Sequence, residues 1–476
     1  MKEATELVFI PMPIMGHIVS AVEMAKRVLS KQNGGGGEEE VNLIITVLIL
    51  KQQSSLDAQT SNYIQSQTTT ATDDDEYSGS QRLKFVTLTL PPQAAATAAK
   101  MYFDSFIPQV RDWVSGTRSS GDLRRLVFVV DLLCTGTVDV ANEFGIPAYV
   151  FFSSGAAALG LIFFLQSIKD RNLNDPFLNI PTYAYPFPAR CLPPPVLDKN
   201  SLETFLGISE RVRGTKGVLV NTFLELEPQA VKTLSDEPGW PPIYPIGPLL
   251  NLQPPEGPEA GEEEESRRQI MKWLDRQEDG SVVFLCFGSQ ARFTADHEEQ
   301  VKEIAAGLER SGQRFLWAFR SAGDDDRRGT LLLPGGFLER TGAAGVGMVV
   351  NGWAPQTAIL AHRAVGGFVS HCGWNSTLES LWFGKPVATW PMQAAEQEAN
   401  AFQLVKEIGV GVEIKLSTDV TGAEEIGRGI KQLMDPLNPV RFKAKELGEK
   451  SRLALAEGGS SSTSLARFVE DAINTN

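Results

Sequence analysis

Short apolar runs, too brief for helices, recur along this chain, and most are followed by a segment whose apolar residues return at helical spacing. Leu7 to Pro11 is the first run. After Gly16 the residues Ile18, Val22, Ala25 and Leu29 follow a period near 3.6, and Val41 to Leu50 is a second run. Strand, helix, strand at this spacing is a βαβ unit, which commits the chain to a parallel sheet with helices on both faces. The pattern continues with strands at Leu83 to Leu90, Leu126 to Val130 and Ala148 to Phe152, and helices at Tyr102 to Val114 and Thr137 to Phe144. Val218 to Asn221 reads as the last strand of this half.

Composition then shifts. Pro245 to Glu265 is rich in proline and glycine (Gly247, Gly257, Gly261) and ends in the run Glu262–Glu265, which reads as an extended, solvated linker. Beyond it the alternation restarts, with strands at Val282 to Phe287, Arg314 to Phe319, Val346 to Asn351, Gly367 to Ser370 and Pro386 to Thr389, and a final amphipathic helix from Ser460 to Ile473. The expected organisation is a first α/β half over residues 1–250, a linker over 251–265, a second over 266–458, and a terminal helix over 459–476 packing back on the first half. Two doubly wound halves place a cleft between them, and ligands of such sheets bind beyond the carboxyl ends of the strands.

The totals narrow the function. With 58 acidic against 44 basic residues and a net charge of −14, the chain repels phosphate backbones and anionic membranes, and no basic run exceeds a pair. Nucleic acid is not expected as a partner. Cys134, Cys191, Cys286 and Cys372 lie far apart, without CxxC or ligand-like histidine spacing, so neither zinc nor a disulfide framework is indicated. The opening MKEATELVFIPMP is not a signal peptide, and the apolar stretch Ala148 to Leu165 is interrupted by Ser153, Ser154 and Gly155. No membrane insertion is expected, and the cytoplasm is the default location. Asp73–Asp75 and Asp324–Asp326 superficially resemble a metal-binding DxD but sit in charged stretches and read as solvated loops.

Chemistry is therefore sought immediately after strands. His17 stands where the first strand meets the first helix, a position at which the helix dipole disfavours the imidazolium and keeps a base neutral. Asp131 ends a strand, where its carboxylate orients the ring and stabilises the imidazolium; its plainer role is to cap a helix. In the second half, the strand GGFVS runs into His371, Cys372, Gly373, Trp374, Asn375 and Ser376 and then a helix. Exposed N–H groups at such a turn, with the helix dipole behind them, make an anion site. Ser376 and Glu379 also fit a capping box.

The series WAPQ…HCGWNSTLES…GKP…WP…EQ resembles the signature box of plant secondary-product UDP-glycosyltransferases, and the likeness runs from the GHI opening through VVD and FGS to the box. The resemblance implies a GT-B fold, α/β with two Rossmann-like domains facing across a cleft, and an inverting, metal-independent transfer without cofactor. The donor it implies is a UDP-sugar, most readily UDP-glucose, and the acceptor a small lipophilic hydroxylated molecule such as a phenolic, flavonoid or triterpenoid. It further implies that Trp353 stacks on uracil with Ala354 and Gln356 completing base and ribose recognition, and that Glu379 accepts from the ribose hydroxyls. His371, Asn375, Ser376 and Ser289 hold the diphosphate at the Gly373 turn, while Trp374, Glu396 and Gln397 contact the sugar. His17 is the base and Asp131 its support. The acceptor pocket is expected from the first half, around Ile14, Met15, Phe103 and Cys134 and the segment Asn174 to Leu206. One departure stands out: WPMQAAEQ carries one residue more than the family pattern, at Ala394 or Ala395. A sugar-nucleotide epimerase or hydrolase and a non-catalytic UDP-sugar binder remain alternatives. A nicotinamide dehydrogenase is disfavoured because no GxGxxG follows either opening strand. A monomer is expected.

Overall fold

The structure, a computed structural model, describes residues 4–33, 43–52, 58–69, 82–90, 104–119, 124–169, 175–252, 260–288, 291–321, 332–392 and 394–475. The chain divides into two compact units. The first comprises Met1–Ala189, Pro195–Asn251 and Leu453–Asn476, the second Arg190–Pro194 and Leu252–Arg452.

The first unit is built on seven strands: β1 (Thr5–Ile10), β2 (Leu43–Gln52), β3 (Leu83–Leu90), β4 (Arg125–Asp131), β5 (Ala148–Phe152), β6 (Val218–Val220) and β7 (Ile243–Pro245). They lie in the order β3-β2-β1-β4-β5-β6-β7, and every pairing is parallel. All six residues of β1 are buried, as expected of a strand covered on both faces. Its side chains alternate between two cores. Leu7 and Phe9 pack on one side with Ile18, Val22, Ala25 and Leu29 of the Met15–Asn33 helix, while Val8 and Ile10 pack on the other with Phe128, Val130 and Val138. The Ala148 to Leu165 stretch forms β5, then a bend, then the buried helix Ala156–Phe163. That helix has no side chain of its own at the cap. Glu227, 3% exposed, supplies it, its two carboxylate oxygens each accepting at 2.8 Å from the N–H groups of Ala156 and Ala157.

The second unit carries six parallel strands: β8 (Val282–Cys286), β9 (Arg314–Phe319), β10 (Gly347–Asn351), β11 (Val365–Ser370), β12 (Val387–Thr389) and β13 (Gly411–Glu413). Their order is β10-β9-β8-β11-β12-β13. Val283, Leu285 and Phe287 share a core with Phe315, Trp317 and Phe319.

The acidic stretch expected as extended linker differs from that reading. A helix spans Ala260–Leu274 and includes Glu262–Glu265. Carboxylates in a first turn complement the helix dipole, and Arg267 and Arg268 pair with Glu264 and Glu265 one turn back at 3.3 and 3.0 Å. Among the described residues no helix is long and apolar enough to cross a membrane, and no group of three or more His, Cys, Asp or Glu is placed to hold a metal ion. Asp73–Asp75 and Asp324–Asp326 lie outside the described residues.

Candidate functional site

Each sheet reverses its direction of growth once. In the first, the chain builds outward from β1 to β3, then returns to the far side of β1 with β4, so the switch point lies between β1 and β4. In the second, it lies between β8 and β11. Connections leave a crevice at the carboxyl ends of the strands at such points. His17 and Asp131 stand at the first, and His371 follows β11 at the second.

In the first unit, Ile10 pairs with Val130 in register, which sets the ends of β1 and β4 side by side. His17, on the first turn of its helix, reaches Asp131 at the tip of β4, with Nδ1 2.7 Å from Oδ2. Asp131 is 2% exposed, and its other oxygen accepts from the Leu133 N–H at 2.9 Å, capping the short turn Leu132–Cys134. Asp131 thus contacts the ring and also caps a helix, although the helix it caps is this short turn and not the Thr137–Glu143 helix. With Nδ1 donating to a buried carboxylate, the imidazole is held in the tautomer whose Nε2 is basic. The ring keeps 26% of its surface exposed. Ser153 Oγ lies 3.3 Å from the same Nδ1, a neighbour that sequence reading did not single out.

The acceptor-pocket candidates differ in burial. Ile14 is exposed, Met15 leans on the core of the Leu7 face, and Cys134 is buried in the core of the Val8 face. Burial pushes the Cys134 thiol pKa far up. Phe103 lies outside the described residues.

In the second unit, Cys286 pairs with Ser370 at the ends of β8 and β11. The chain leaves β11 through His371 and Cys372, the latter in the left-handed region at φ 65°, its N–H bonded to Ser370 Oγ at 3.2 Å. Gly373 then caps the helix Trp374–Trp382 with its backbone alone. The capping-box pattern is not used. Ser376 and Glu379 are joined instead by Gln356, whose Nε2 donates to Ser376 Oγ at 2.9 Å and to Glu379 Oε2 at 2.6 Å.

His371 is wedged between two glycines. A Cβ on Gly288, after β8, would stand 2.7 Å from its Nε2, and one on Gly373 2.4 Å, so only glycine admits the ring at either place. Its Nδ1 is buried and finds no hydrogen-bond partner among the described residues. Burial pulls the imidazole pKa down to about 4, leaving it neutral at pH 7. Buried polar nitrogens are seldom left without a partner, and this one stands beside the N-terminus of the Trp374–Trp382 helix. Glu379 is the second poised group. Burial raises its carboxyl to about 7, against the opposing pull of the Gln356 hydrogen bond.

Trp353 and Ala354 are half-buried on the segment after β10, while Trp374 is 3% exposed. Asn375 is half-buried at the start of the helix. Glu396 precedes the helix Gln397–Gln403, and Gln397 Oε1 accepts from the Met392 N–H at 2.8 Å. Asn400, 1% exposed and unnoticed in the sequence, ties that helix to the His371 turn by donating to Cys372 O at 3.0 Å. Ser289 lies outside the described residues.

Comparison with known proteins places this geometry. Residues 238–437 match the family model described as UDP-glucoronosyl and UDP-glucosyl transferase. The UDP-glucose flavonoid 3-O-glucosyltransferase 6 of Fragaria ananassa is 44% identical, covering 99% of this chain and 99% of its own. UDP-glycosyltransferase 101 of Panax ginseng is 43% identical over 98% of this chain and 99% of its own. Among solved structures, Medicago truncatula UGT71G1 complexed with UDP-glucose superposes with a TM-score of 0.84 at 38% identity, covering 99% of both chains. Phytolacca americana UGT2 complexed with UDP-2fluoro-glucose and pterostilbene gives 0.83 at 30% identity, covering 98% of this chain and all of that one.

Proposed function

The chain belongs to the family of UDP-glucoronosyl and UDP-glucosyl transferases, with the GT-B fold of its relatives, and from that premise we propose an inverting transfer of glucose from UDP-glucose to a hydroxyl of a phenolic or flavonoid acceptor. It is an enzyme, a UDP-glycosyltransferase. The observation that carries the catalytic step is the His17–Asp131 contact at 2.7 Å.

In this reading His17 Nε2 takes the proton of the acceptor hydroxyl as that oxygen forms its bond to the anomeric carbon. The bond from that carbon to the diphosphate oxygen breaks, and UDP leaves with the electron pair. Direct displacement inverts the anomeric centre. Asp131 stabilises the imidazolium, and a positioned base of this kind contributes about 10² to 10⁴ in rate. The charge that develops on the leaving diphosphate is met by the Gly373 turn, by His371 Nδ1 and by Asn375 and Ser376, a fixed set of donors that needs no reorganisation. The same reading gives Ser289 a diphosphate contact. Trp353 stacks on the base with Ala354 and Gln356 beside it, and Glu379 accepts from the ribose hydroxyls. Trp374, Glu396 and Gln397 face the sugar. The reading includes a metal-independent reaction without cofactor, a monomeric state and cytoplasmic residence, the last supported by four free cysteines.

The test is incubation with UDP-glucose, a chelator and a mixed panel of phenols, flavonoids and triterpenoids, read by mass. Glucoside formation is expected, with kcat falling at least a hundredfold in His17→Ala while UDP affinity stays at the wild-type level. Free glucose without glucoside would favour a hydrolase, and equal loss of turnover and UDP binding would make His17 structural.

A further inference from the structure

Between His371 and Gly373 the chain takes a turn that its own residue disfavours. Cys372, fully buried, holds a left-handed backbone at φ 65°, a region in which a side chain crowds the main chain and which glycine enters freely. Such a conformation persists only where its surroundings over-determine it. Three hydrogen bonds do so here. The Cys372 N–H donates to Ser370 Oγ at 3.2 Å and its thiol to Ser370 O at 3.4 Å, both to the end of β11. The third comes from another element: Asn400 Nδ2 donates to Cys372 O at 3.0 Å.

Asn400 stands one turn into the Gln397–Gln403 helix, its N–H donating to Glu396 O at 2.9 Å. The start of that helix is fixed by Gln397, which accepts from the Met392 N–H at 2.8 Å. The Asn400 amide is 1% exposed, and its Oδ1 finds no partner among the described residues. An amide buried with its oxygen idle is a poor device for stability, because nothing offsets the desolvation of that oxygen. What the position uses is the donor end, and the donor end is given to Cys372.

We propose that Asn400 is a positioning residue for the donor: by holding the Cys372 carbonyl it keeps the left-handed turn that sets His371 and the Gly373 cap of the Trp374–Trp382 helix as one anion cradle. The assignment rests on the transferase reading for the identity of that anion, the diphosphate of a UDP-sugar. Asn400 acts through Cys372 and not by touching the ligand. Without it the strain at φ 65° is opposed only from Ser370, and the turn relaxes toward backbone that cysteine prefers. The His371 ring then leaves the slot that Gly288 and Gly373 keep open for it.

The test uses strain relief as the readout. UDP is titrated calorimetrically into the full-length wild type, Asn400→Ala, and Asn400→Ala combined with either Cys372→Gly or Cys372→Ala, with thermal unfolding of each to verify the fold. UDP affinity is expected to fall about tenfold in Asn400→Ala, the loss of one buried hydrogen bond to the turn. Glycine takes the left-handed backbone without strain, so adding Cys372→Gly is expected to restore affinity to within about threefold of wild type. Adding Cys372→Ala removes the same thiol but keeps the Cβ, and is expected to restore nothing. Where Asn400→Ala does not fold, Asn400→Ser carries the same comparison. Unchanged affinity in the single variant, rescue by both second substitutions, or rescue by neither each overturns the positioning role. Glucoside formation together with UDP affinity insensitive to Asn400 would leave the transferase reading standing alone, whereas the expected pattern of UDP binding without any transfer would leave the positioning role and remove that reading.

Discussion

Glu379 shows how one residue of the proposed donor site bears on stability. Its carboxyl titrates near 4.5 in an unfolded chain and near 7 in the folded one, because burial disfavours the charge. Between those values the folded state holds a proton that the unfolded state has released, so stability falls as pH rises through the window, by up to about 3 kcal/mol above pH 7. His371 works in the opposite direction. Its folded value near 4 lies below 6.5, so stability is lost as pH falls through that range. The two slopes oppose each other below pH 6.5, and only that of Glu379 remains above it. Replacing Glu379 by Gln removes one slope and leaves the other. The difference in unfolding midpoint between Glu379→Gln and wild type is expected to shift in the variant's favour from pH 5 to pH 8. A difference that stays constant across that range would show that the carboxyl is ionised throughout.

Elements explain what could be read from the sequence and what could not. β1, β4 and β5 were legible because a parallel strand covered on both faces is apolar at nearly every position, a signal that needs no partner to be seen. The His17–Asp131 pair was legible only as two strand-end positions, since the contact depends on β1 and β4 being neighbours across a switch point. Ser153, Gly288 and Asn400 carried no such signal; each acquires its role from a residue far away in sequence. Glu262–Glu265 misled by composition, because a Glu run reads as solvated chain unless the arginines a turn later are weighed with it. The Ser376–Glu379 spacing misled by motif, since Gln356 from another helix engages both side chains. The WPMQAAEQ stretch also belongs to this scale. Ala395 takes a left-handed backbone at φ 46° and is exposed together with Ala394, while Gln397 and Asn400 keep their bonds to Met392 and Cys372. Ala394 and Ala395 are exposed, and the helix that follows stays tied to the His371 turn. A non-glycine residue in that conformation costs about 1 kcal/mol. Ala395→Gly is therefore expected to raise stability by about that amount in chemical denaturation, with KM for UDP-glucose unchanged. A large rise in KM would mean that the turn itself orders the sugar contacts.

At the scale of the whole chain, the first unit is closed by residues from both ends. The Ser460–Asn474 helix belongs to it, although the second unit intervenes in sequence. Phe468, fully buried, meets the rings of Tyr149 and Tyr244 edge-on at 5.1 and 5.9 Å between centroids. Tyr244 donates to Asp471 at 2.5 Å, Arg467 donates to Ile243 O at 2.8 Å, and Arg125 donates to Ile473 O at 2.5 Å. Tyr149 and Tyr244 stand on β5 and β7, and Arg125 begins β4, so the last helix clamps the strands that carry Asp131 and its neighbours. Removing a buried phenylalanine side chain costs about 3 to 5 kcal/mol, a large share of the roughly 5 to 15 kcal/mol that keeps a domain folded. Phe468→Ala is therefore expected to lower the unfolding midpoint of the first unit by about 10 °C. Truncation after Gly459, which also strips the polar clamps, should unfold that unit at room temperature. The residues proposed to bind the donor lie in the second unit with a core of their own, so UDP binding should survive both changes while glucoside formation is lost in the truncated protein. Calorimetric unfolding alongside a UDP titration separates these outcomes. If UDP affinity declined together with the first transition in Phe468→Ala, the two units would be one cooperative body and the His371 site would depend on the terminal helix.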